Sequence, residues 1–242
     1  MRQDFKKLIP MTKIFVTGSA GFIGYHLSKA LLDYGCRVVG LDNMNPYYEV
    51  SLKEDRLHIL KQSEHFRFLQ EDLANRQALE QIFLKERPDI VVNLAAQTGV
   101  RYSIDHPDCY IQSNIIGFYN ILECCRNHLV SHLVYASSSS VYGANKKVPF
   151  SAEDQTDHPV SLYAATKKSN ELMAYCYSKL YGIAATGLRF FTVYGPMGRP
   201  DMAYYKFAEK IMKGEPIQVY NNGDMLRDFT YVDDVVKGIV NI

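Results

Sequence analysis

A tyrosine and a lysine stand four positions apart in the segment YAATK at residues 163–167. If this segment is helical, residues i and i+4 lie on one face, and the phenol of Tyr163 is held beside the ammonium of Lys167. A free phenol titrates at about pH 10, and a nearby positive charge favours its phenolate form. The spacing therefore predicts that Tyr163 exchanges protons with a substrate near neutral pH and that Lys167 assists it.

Four consecutive serines end a short apolar run in the segment YASSSSVYG at residues 135–143. Polar side chains at the carboxyl end of a parallel strand lie where such sheets bind their ligands. A hydroxyl at this position can hydrogen-bond the oxygen of a reacting carbon. The run predicts a hydroxyl-lined substrate site next to the Tyr163 helix.

Three glycines follow another apolar run, in the segment TGSAGFIG at residues 17–24. Gly18 permits a tight turn, Gly21 lets the backbone approach a pyrophosphate, and Gly24 allows close packing of a helix on a strand. The helix that opens at Phe22 and Ile23 offers free N–H groups and partial positive charge to an anion. The segment therefore predicts a dinucleotide-binding turn.

An acidic residue, Asp42, stands 18 residues beyond Gly24. This is close to the distance at which a carboxylate binds the adenosine ribose hydroxyls of a dinucleotide. A carboxylate there would repel the extra phosphate of NADP, and no arginine follows immediately to bind that phosphate. Asp42 therefore favours NAD as the cofactor.

Apolar runs rich in Val, Ile and Phe alternate along the chain with amphipathic stretches of helical length, which is typical of a parallel sheet flanked by helices. We predict strands at 13–17, 37–41, 66–70, 90–94, 133–137 and 186–192. We predict helices at 22–34, 75–85, 107–127, 163–181 and about 203–212. The predicted fold class is α/β, a doubly wound parallel Rossmann sheet with helices on both faces and a smaller C-terminal substrate lobe.

The pattern predicts four consecutive regions. Residues 1–12 form an N-terminal tail, 13–193 the dinucleotide-binding core, 194–230 part of a substrate-binding lobe, and 231–242 the start of a helix. The chain stops at Ile242 inside this helical pattern, so we expect that a C-terminal portion of the lobe is missing and that nucleotide binding is weaker for it.

Composition argues against several other classes of protein. The net charge is +1 and no long block of one sign occurs, so the charge pattern of a nucleic-acid binder is missing. No apolar run approaches the roughly 18 residues that cross a bilayer, and the N-terminus lacks the apolar stretch of a signal peptide. Five cysteines without metal-ligand spacing indicate reduced thiols and no metal site. We expect a cytoplasmic protein without membrane or nucleic-acid partners.

The three-and-three spacing of the glycines resembles the extended short-chain dehydrogenase/reductase family. Further family segments occur in the same order: Asp72-Leu73, Leu94-Ala95-Ala96-Gln97, and Asn114 with Gly117. The resemblance implies that Asp72 and Leu73 contact the adenine and that the Leu94 to Gln97 loop lies beneath the cofactor. It also assigns Asn114 to a helix motif of the cofactor site.

The serine run resembles the Ser-Ser-Ser-x-x-Val-Tyr-Gly segment of nucleotide-sugar epimerases. By this resemblance Ser138 carries the catalytic hydroxyl, while Ser139 and Ser140 shape the substrate site. Related dehydratases have an Asp-Glu pair directly after this hydroxyl, because elimination of water needs a separate acid and base. Its replacement here by two serines favours epimerisation through a transient 4-keto sugar, which is redox-neutral overall.

Four longer segments resemble the UDP-glucuronate 4-epimerases. They are NMNPYY at 43–48, which opens with Asn43 at the cofactor site, AAQTGVRYS at 95–103, RFFTVYGP at 189–196 and GRPDM at 198–202. The resemblance implies a UDP-sugar substrate and places Thr192 at the sugar, Arg199 and Arg227 at the UDP, and Gln218 and Tyr220 at the uracil. It also implies a homodimer formed through the helices at 107–127 and 163–181.

Three alternatives remain open. A 4-epimerase of neutral UDP-hexoses and a UDP-glucuronate decarboxylase share Tyr163, Lys167 and the glycine turn, although a decarboxylase would need further acid-base and carboxylate-binding groups. A non-catalytic dinucleotide sensor could use the same fold. Intact Ser138, Tyr163 and Lys167 argue against a sensor, which has no use for a phenolate.

Overall fold

The computed structural model describes residues 8–242 and contains a six-stranded parallel sheet in the order β3-β2-β1-β4-β5-β6. The strands are β1 Lys13–Thr17, β2 Arg37–Asp42, β3 Phe66–Gln70, β4 Ile90–Asn93, β5 His132–Ser138 and β6 Ala185–Phe190. Strand order reverses between β1 and β4, which opens a crevice at their carboxyl ends. The predicted doubly wound α/β fold is confirmed.

Helices connect and cover these strands. They are α1 Phe22–Asp33, α2 Val50–Leu60, α3 Arg76–Glu86, α4 Tyr102–Asp105, α5 Pro107–Tyr110, α6 Gly117–Asn127, α7 Leu162–Tyr181, α8 Ala203–Met212 and α9 Val232–Val240. A π-helix, Ile111–Ile116, joins α5 to α6, and short 3₁₀ helices occupy Ser139–Tyr142 and Tyr220–Gly223. Two short strands, β7 Thr192–Tyr194 and β8 Phe229–Tyr231, form a separate parallel pair.

Successive side chains of each strand point to opposite faces of the sheet, so the sheet supports two apolar cores. Val16, Val38 and Val134 face a core shared with α1, α2 and α9. Phe15 and Leu133 face the other core, which is shared with α3, α6 and α7. Burial on both faces explains why these strands read as continuous apolar runs.

Several predicted boundaries were wrong. The helix predicted at 107–127 is interrupted by the π-helix, and the strand predicted at 186–192 ends at Phe190 because Thr192 pairs with Phe229 in the second sheet. Helix α2 was not predicted. Its sequence VSLKEDRLHIL lacks an apolar stripe, because its buried face includes the stems of Lys53 and Arg56.

Helix α9 packs onto the core beside α1 and also contacts β7 and β8. Val232, Val235, Val236 and Ile239 join the core that contains Leu27 and Leu31 of α1. The region predicted as a separate helix start at 231–242 therefore contributes to the layer that supports the glycine turn.

The close approach of α1 to this turn gives a stability prediction. A Cβ on Gly24 would lie 2.0 Å from the carbonyl oxygen of Gly18, so Gly24→Ala must displace the turn. We expect Gly24→Ala to lower the free energy of unfolding by about 1–3 kcal/mol, as overpacking does. Urea unfolding followed by circular dichroism measures this change.

Gly238 of α9 provides the matched control, because a Cβ there would meet no heavy atom of the described residues within 4 Å. Gly238→Ala should raise the free energy of unfolding by up to about 1 kcal/mol through helix propensity. Equal effects of the two substitutions would contradict the packing argument.

Candidate active site

One cleft at the carboxyl edge of the sheet gathers most of the residues singled out in the sequence. The predicted residues that line it are Gly18, Gly21, Phe22, Ile23, Gly24, Asp42, Asn43, Asp72, Leu73, Leu94, Ala95, Ala96, Gln97, Ser138, Tyr163, Lys167 and Arg199. Seven other predicted residues lie outside the lining that the described residues form: Asn114, Ser139, Ser140, Thr192, Gln218, Tyr220 and Arg227.

The glycine turn has the geometry of an anion site. Gly18 has φ +70°, and a Cβ on it would lie 2.8 Å from the amide nitrogen of Ala95, so the turn and the next loop touch through their backbones. Gly21 is the N-cap of α1 and has no side chain with which to cap the first N–H groups. The first turn of a 12-residue helix therefore offers its partial positive charge to the cleft. The residues present fit the pyrophosphate of a dinucleotide.

Asp42 ends β2 beside a lysine that the sequence argument missed. Its Oδ1 accepts hydrogen bonds from the Met44 backbone N–H at 2.8 Å and from Lys53 Nζ at 3.1 Å. Both side chains of the pair are 7% exposed, and both residues line the cleft. The carboxylate charge expected to repel a phosphate is thus balanced by an adjacent ammonium.

The part of the cleft predicted to contact the adenine is built from two loops. Asn43 Nδ2 donates to Asp72 Oδ2 at 2.8 Å, which joins the loop after β2 to the loop after β3. A Cβ on Gly117 would lie 2.7 Å from the Cβ of Leu73, so this glycine lets α6 approach the Leu73 loop. The structure thereby gives a packing reason for the glycine of the Asn114 and Gly117 motif.

Asn114 does not line the cleft but hydrogen-bonds residues next to it. Its Oδ1 accepts from the Gln97 N–H at 2.8 Å, and its Nδ2 donates to the Gln97 carbonyl and to Thr166 Oγ1, each at 3.0 Å. Its own carbonyl oxygen accepts from Asn170 Nδ2 at 2.7 Å. Asn114 therefore fixes the loop after β4 against α7.

Tyr163, Lys167 and Ser138 meet where α7 crosses the end of β5. Ser161 caps α7 by accepting the Ala164 N–H at 3.1 Å, which places Tyr163 in the first turn. Lys167 is 3% exposed, and its Nζ donates to the Ala136 carbonyl at 2.9 Å. The Ser138 hydroxyl donates to Ser140 Oγ at 3.2 Å.

The electrostatics of this group differ in one respect from the sequence argument. Burial raises the pKa of the Tyr163 phenol, while its hydrogen bond with Ser138 and the positive charge of Arg199 act in the opposite direction. Burial lowers the pKa of Lys167 to about 8. The opposing charge in this structure therefore comes from Arg199, a role that the sequence argument gives to Lys167.

Arg199 reaches the cleft from the loop after β7. Its Nε and Nη2 bind the two oxygens of Asp201 at 2.9 and 2.5 Å, and Tyr47 donates to Asp201 Oδ2 at 3.2 Å. Burial would lower the pKa of Arg199, but the Asp201 hydrogen bonds and charge raise it above its usual value. Arg199 is therefore a fixed cation held beside the phenol.

A second buried arginine, Arg56, ties the cofactor turn to the Arg199 loop. Its Nη1 donates to the Ala20 carbonyl at 2.8 Å and to Tyr48 Oη at 2.7 Å, and its Nη2 donates to the Met197 carbonyl at 2.7 Å. Among residues 8–242 no carboxylate forms an ion pair with it. Arg56 was not among the predicted site residues, because helix α2 was not predicted.

The remaining predicted substrate residues are not part of the cleft lining. Ser139 and Ser140 begin the 3₁₀ helix after β5, and the Thr192 N–H donates to the Asp228 carbonyl at 3.3 Å. Tyr220 lies 3.7 Å from the Arg101 guanidinium and donates to Gln218 Oε1 at 3.1 Å. Arg227 is exposed and donates to the Leu226 carbonyl. Their assignment to the substrate stays a prediction.

No helix within residues 8–242 is long and apolar enough to cross a membrane. No group of three or more His, Cys, Asp or Glu side chains in the same range is arranged to hold a metal ion.

Comparisons with known proteins agree with this geometry. The chain is 60% identical over 227 residues to Protein CapI of Staphylococcus aureus, covering 94% of this chain and 68% of that protein. It is 50% identical over 230 residues to a probable UDP-glucuronate 4-epimerase of Rhizobium meliloti, covering 95% and 67% of the two chains. The fold is similar to the crystal structure of UDP-glucuronic acid 4-epimerase from Bacillus cereus in complex with UDP-glucuronic acid and NAD. For that pair the TM-score is 0.89 and the identity 37%, over 95% of this chain and 72% of the other.

The predicted family resemblance is confirmed at the level of the whole chain. Residues 14–242 match the NAD dependent epimerase/dehydratase family, whose name also gives the predicted cofactor. With the glycine turn, the tyrosine and lysine pair and the serine-ended strand in one cleft, the chain belongs to the NAD-dependent epimerase/dehydratase family.

Proposed function

We propose that this protein is an NAD-dependent UDP-sugar 4-epimerase and that its substrate pair is UDP-glucuronate and UDP-galacturonate. One observation carries the reaction type: Tyr163, Lys167 and Ser138 meet in the cleft that contains the glycine turn. The residues after Ser138 are Ser139 and Ser140, so this position holds no carboxylate for an elimination. Similarity to UDP-glucuronate 4-epimerases supports the choice of sugar.

In the proposed mechanism Tyr163 takes the proton of the C4 hydroxyl while Ser138 hydrogen-bonds the same oxygen. The glycine turn and Asp42 would hold NAD, which when bound would supply the acceptor and afterwards the donor of the C4 hydride. The resulting 4-keto sugar rotates within the cleft, so that the opposite face of its C4 carbonyl points toward the cofactor site. Tyr163 then returns the proton to the C4 oxygen, so that the product differs from the substrate only in configuration.

Charges around Tyr163 partly offset the effect of burial on the pKa of its phenol. Burial raises the pKa of the phenol, so the side chain alone would hold its proton. Arg199 opposes this effect of burial, and the positive charge of the oxidised cofactor would oppose it further. Lys167, which holds the end of β5 through Ala136, contributes a further cation at the same site.

Recognition of the sugar carboxylate is proposed to rest on hydroxyl and backbone N–H groups. Ser138 to Ser140, Thr192 and the N–H groups of the Thr98-Gly99 loop are the candidates. Ser140 supports this proposal, because its Oγ lies 3.2 Å from Ser138 Oγ and is thus next to the proposed reacting oxygen. Hydroxyl groups can hydrogen-bond a carboxylate without an arginine.

We also propose that the protein forms a homodimer through α7 and the helices around the π-helix. Ile111, Ile116, Leu172 and Tyr175 expose apolar surface on these elements, with Leu172 at 53% and Tyr175 at 64% exposure. Leu172→Glu should convert a dimer into a monomer, because it places a charge in an apolar interface. Light scattering coupled to size-exclusion chromatography measures the mass, and Met212→Glu on exposed α8 is the control.

Incubation with UDP-glucuronate distinguishes the candidate functions. We expect UDP-galacturonate as the product. A UDP-pentose would identify a decarboxylase, turnover of UDP-glucose alone would identify an epimerase of neutral hexoses, and NAD binding without turnover of either sugar would identify a sensor. Chromatographic separation of the nucleotide sugars gives the answer.

Replacement of the proposed acid-base group tests the mechanism. Tyr163→Phe keeps the ring and removes its oxygen, so we expect a loss of about 100- to 10,000-fold in kcat with NAD still bound. Tyr175→Phe, an exposed tyrosine of the same helix, is the control. Tyr163→Phe activity within about tenfold of the unmutated enzyme would refute the assignment.

The proposed role of Ser138 predicts a smaller effect. Ser138→Ala removes one hydrogen bond to the reacting oxygen and should lower kcat by roughly 10- to 1000-fold. Ser131→Ala, just before the other end of β5, should leave kcat unchanged. An undiminished rate for Ser138→Ala would transfer the role to Ser139.

Cofactor preference tests the Asp42 and Lys53 pair. Asp42→Ala should weaken NAD binding and leave Lys53 free to bind the extra phosphate of NADP. We expect the ratio of the NADP and NAD dissociation constants to fall by about 10- to 100-fold, which corresponds to one charged hydrogen bond. In Asp42→Ala with Lys53→Met, the gain in NADP binding should disappear. Exposed Asp55→Ala on α2 is the control.

Calorimetric titration of both cofactors measures these affinities. Tighter binding of NADP than NAD by the unmutated protein would contradict the assignment of Asp42. Retention of the NADP gain without the Lys53 ammonium would contradict the assignment of Lys53.

A further inference from the structure

Three successive residues at the end of β5 are each held by a side chain of α7. Lys167 binds the Ala136 carbonyl, Ser137 Oγ donates to Glu171 Oε1 at 2.6 Å, and Ser138 hydrogen-bonds Tyr163. The helix positions involved, 163, 167 and 171, are four residues apart and share one face. Glu171 is the member of this series that the proposed chemistry leaves unused.

Glu171 is held in turn by an arginine of the neighbouring strand. Arg189 of β6 binds its two carboxylate oxygens through Nε and Nη2, each at 2.9 Å. Arg189 Nη1 donates to the Ala152 carbonyl at 3.1 Å, and the guanidinium lies 5.0 Å from the centre of the Tyr142 ring. A forked contact of this kind fixes the orientation of the carboxylate as well as its position.

We propose that Glu171 and Arg189 are positioning residues: Glu171 fixes the Ser137 and Ser138 end of β5 against α7, and Arg189 keeps the Glu171 carboxylate from pairing with Lys167. This inference rests on the proposed function, in which Ser138, Tyr163 and Lys167 act on the sugar.

Helix geometry makes Lys167 an available partner for Glu171, and Arg189 prevents that pairing. Glu171 lies one turn beyond Lys167, where a carboxylate and an ammonium attract each other. Both oxygens of Glu171 are instead occupied by Arg189, and Ser137 adds a further hydrogen bond. Lys167 is thereby left to hold the Ala136 carbonyl. Without Arg189, the carboxylate would compete with this carbonyl for the ammonium and draw it along the helix.

The charges around the two groups agree with this geometry. Burial alone would raise the pKa of Glu171, but hydrogen bonds from Arg189 and Ser137 and the charge of Arg189 bring it below its usual value. Within residues 8–242, the other titratable groups that act on Glu171, Arg189 or Tyr163 are Lys168 on α7, Tyr135 on β5, Tyr142 in the 3₁₀ helix and Arg199 in the loop after β7. None of these four is a carboxylate, so Glu171 is the anion of this group that can bind Lys167.

The first experiment compares kcat and KM for four enzymes: unmutated, Arg189→Met, Glu171→Gln, and the double variant. We expect Arg189→Met to lower kcat by about tenfold or more with KM for the UDP-sugar within about threefold, as for a coupled pair. In the double variant, which also lacks the Glu171 carboxylate, kcat should return to the value of Glu171→Gln alone. The kcat of Arg189→Lys, which keeps the positive charge, should lie between the kcat values of the unmutated enzyme and Arg189→Met.

Arg126→Met is the matched control, because Arg126 also combines an ion pair, with Glu123, and a ring contact, with Tyr181. It lies on the surface of α6 away from the cleft, so kcat should not change. Thermal unfolding of each variant shows which have folded. Equal losses of kcat in Arg189→Met and the double variant, with all variants folded, would overturn the proposal.

The second experiment does not depend on turnover. In protein with ¹³C-labelled lysine, the Lys167 side-chain signal is identified by its loss in Lys167→Met and followed against pH. Arg189→Met should raise the titration midpoint of Lys167 by about one pH unit or more, because the released Glu171 carboxylate stabilises the ammonium form. The double variant should return it to the original midpoint, and Ser137→Ala should leave it in place while lowering kcat.

The two experiments separate the two proposals. If the unmutated enzyme epimerises none of the UDP-sugars but the Lys167 titration moves as expected, the proposed function is wrong while the Arg189 pairing stands. If the enzyme is active and the titration does not move in folded Arg189→Met, the pairing is wrong and the function stands.

Discussion

The contact between α7 and the end of β5 is the constraint on which the site depends. A lysine that is 3% exposed must direct its ammonium to an acceptor, because an unpaired buried charge is costly. The acceptor is the Ala136 carbonyl, two residues before Ser138. Once this bond forms, Tyr163, one helical turn earlier, must lie beside the Ser138 hydroxyl. Asn114 and Asn170 then lock the helix to the loop after β4.

A second constraint is the placement of cations within a nearly neutral chain. The net charge is only +1, yet Lys53, Arg56, Lys167 and Arg199 all lie at or just beneath one cleft. Two of them face carboxylates, whereas Arg56 and Lys167 are held by carbonyl and hydroxyl oxygens. Asp42, Glu71 and Asp72 line the same cleft, so these cations favour an anionic ligand only locally, at the atoms they contact. Net charge alone could not reveal this arrangement.

The parts of the fold that could be predicted are those with a local signal. Strands buried on both faces read as apolar runs, and β1 and β3 have the predicted bounds. The glycine turn and the Tyr163 and Lys167 pair depend on spacing within a few residues, and the structure places both in one cleft. Helix α2 gave no such signal, because its buried face includes Lys53 and Arg56 beside Leu57 and Leu60, so its sequence lacks an apolar stripe.

The positions of residues that depend on contacts distant in the sequence could not be predicted from nearby residues. Thr192 leaves the main sheet because Phe229, 37 positions later, pairs with it, and spacing near Thr192 does not indicate this. Gln218, Tyr220 and Arg227 were assigned by resemblance alone, and in this structure they lie on exposed turns with partners of their own. The link from Arg56 to both Ala20 and Met197 likewise joins segments that are 177 positions apart.

The composition of the strand end bears on the type of reaction that the cleft favours. Eliminating water requires one group to remove a proton and a different group to protonate the leaving hydroxyl, whereas epimerisation lets a single phenol remove and return the same proton. The carboxylate nearest to Ser138 along the α7 face is Glu171, and Arg189 and Ser137 already occupy it. A carboxylate committed to an ion pair has a lowered pKa and is a poor proton donor. The groups that remain free to act at this edge are hydroxyls and cations, which suit a redox-neutral inversion at one carbon.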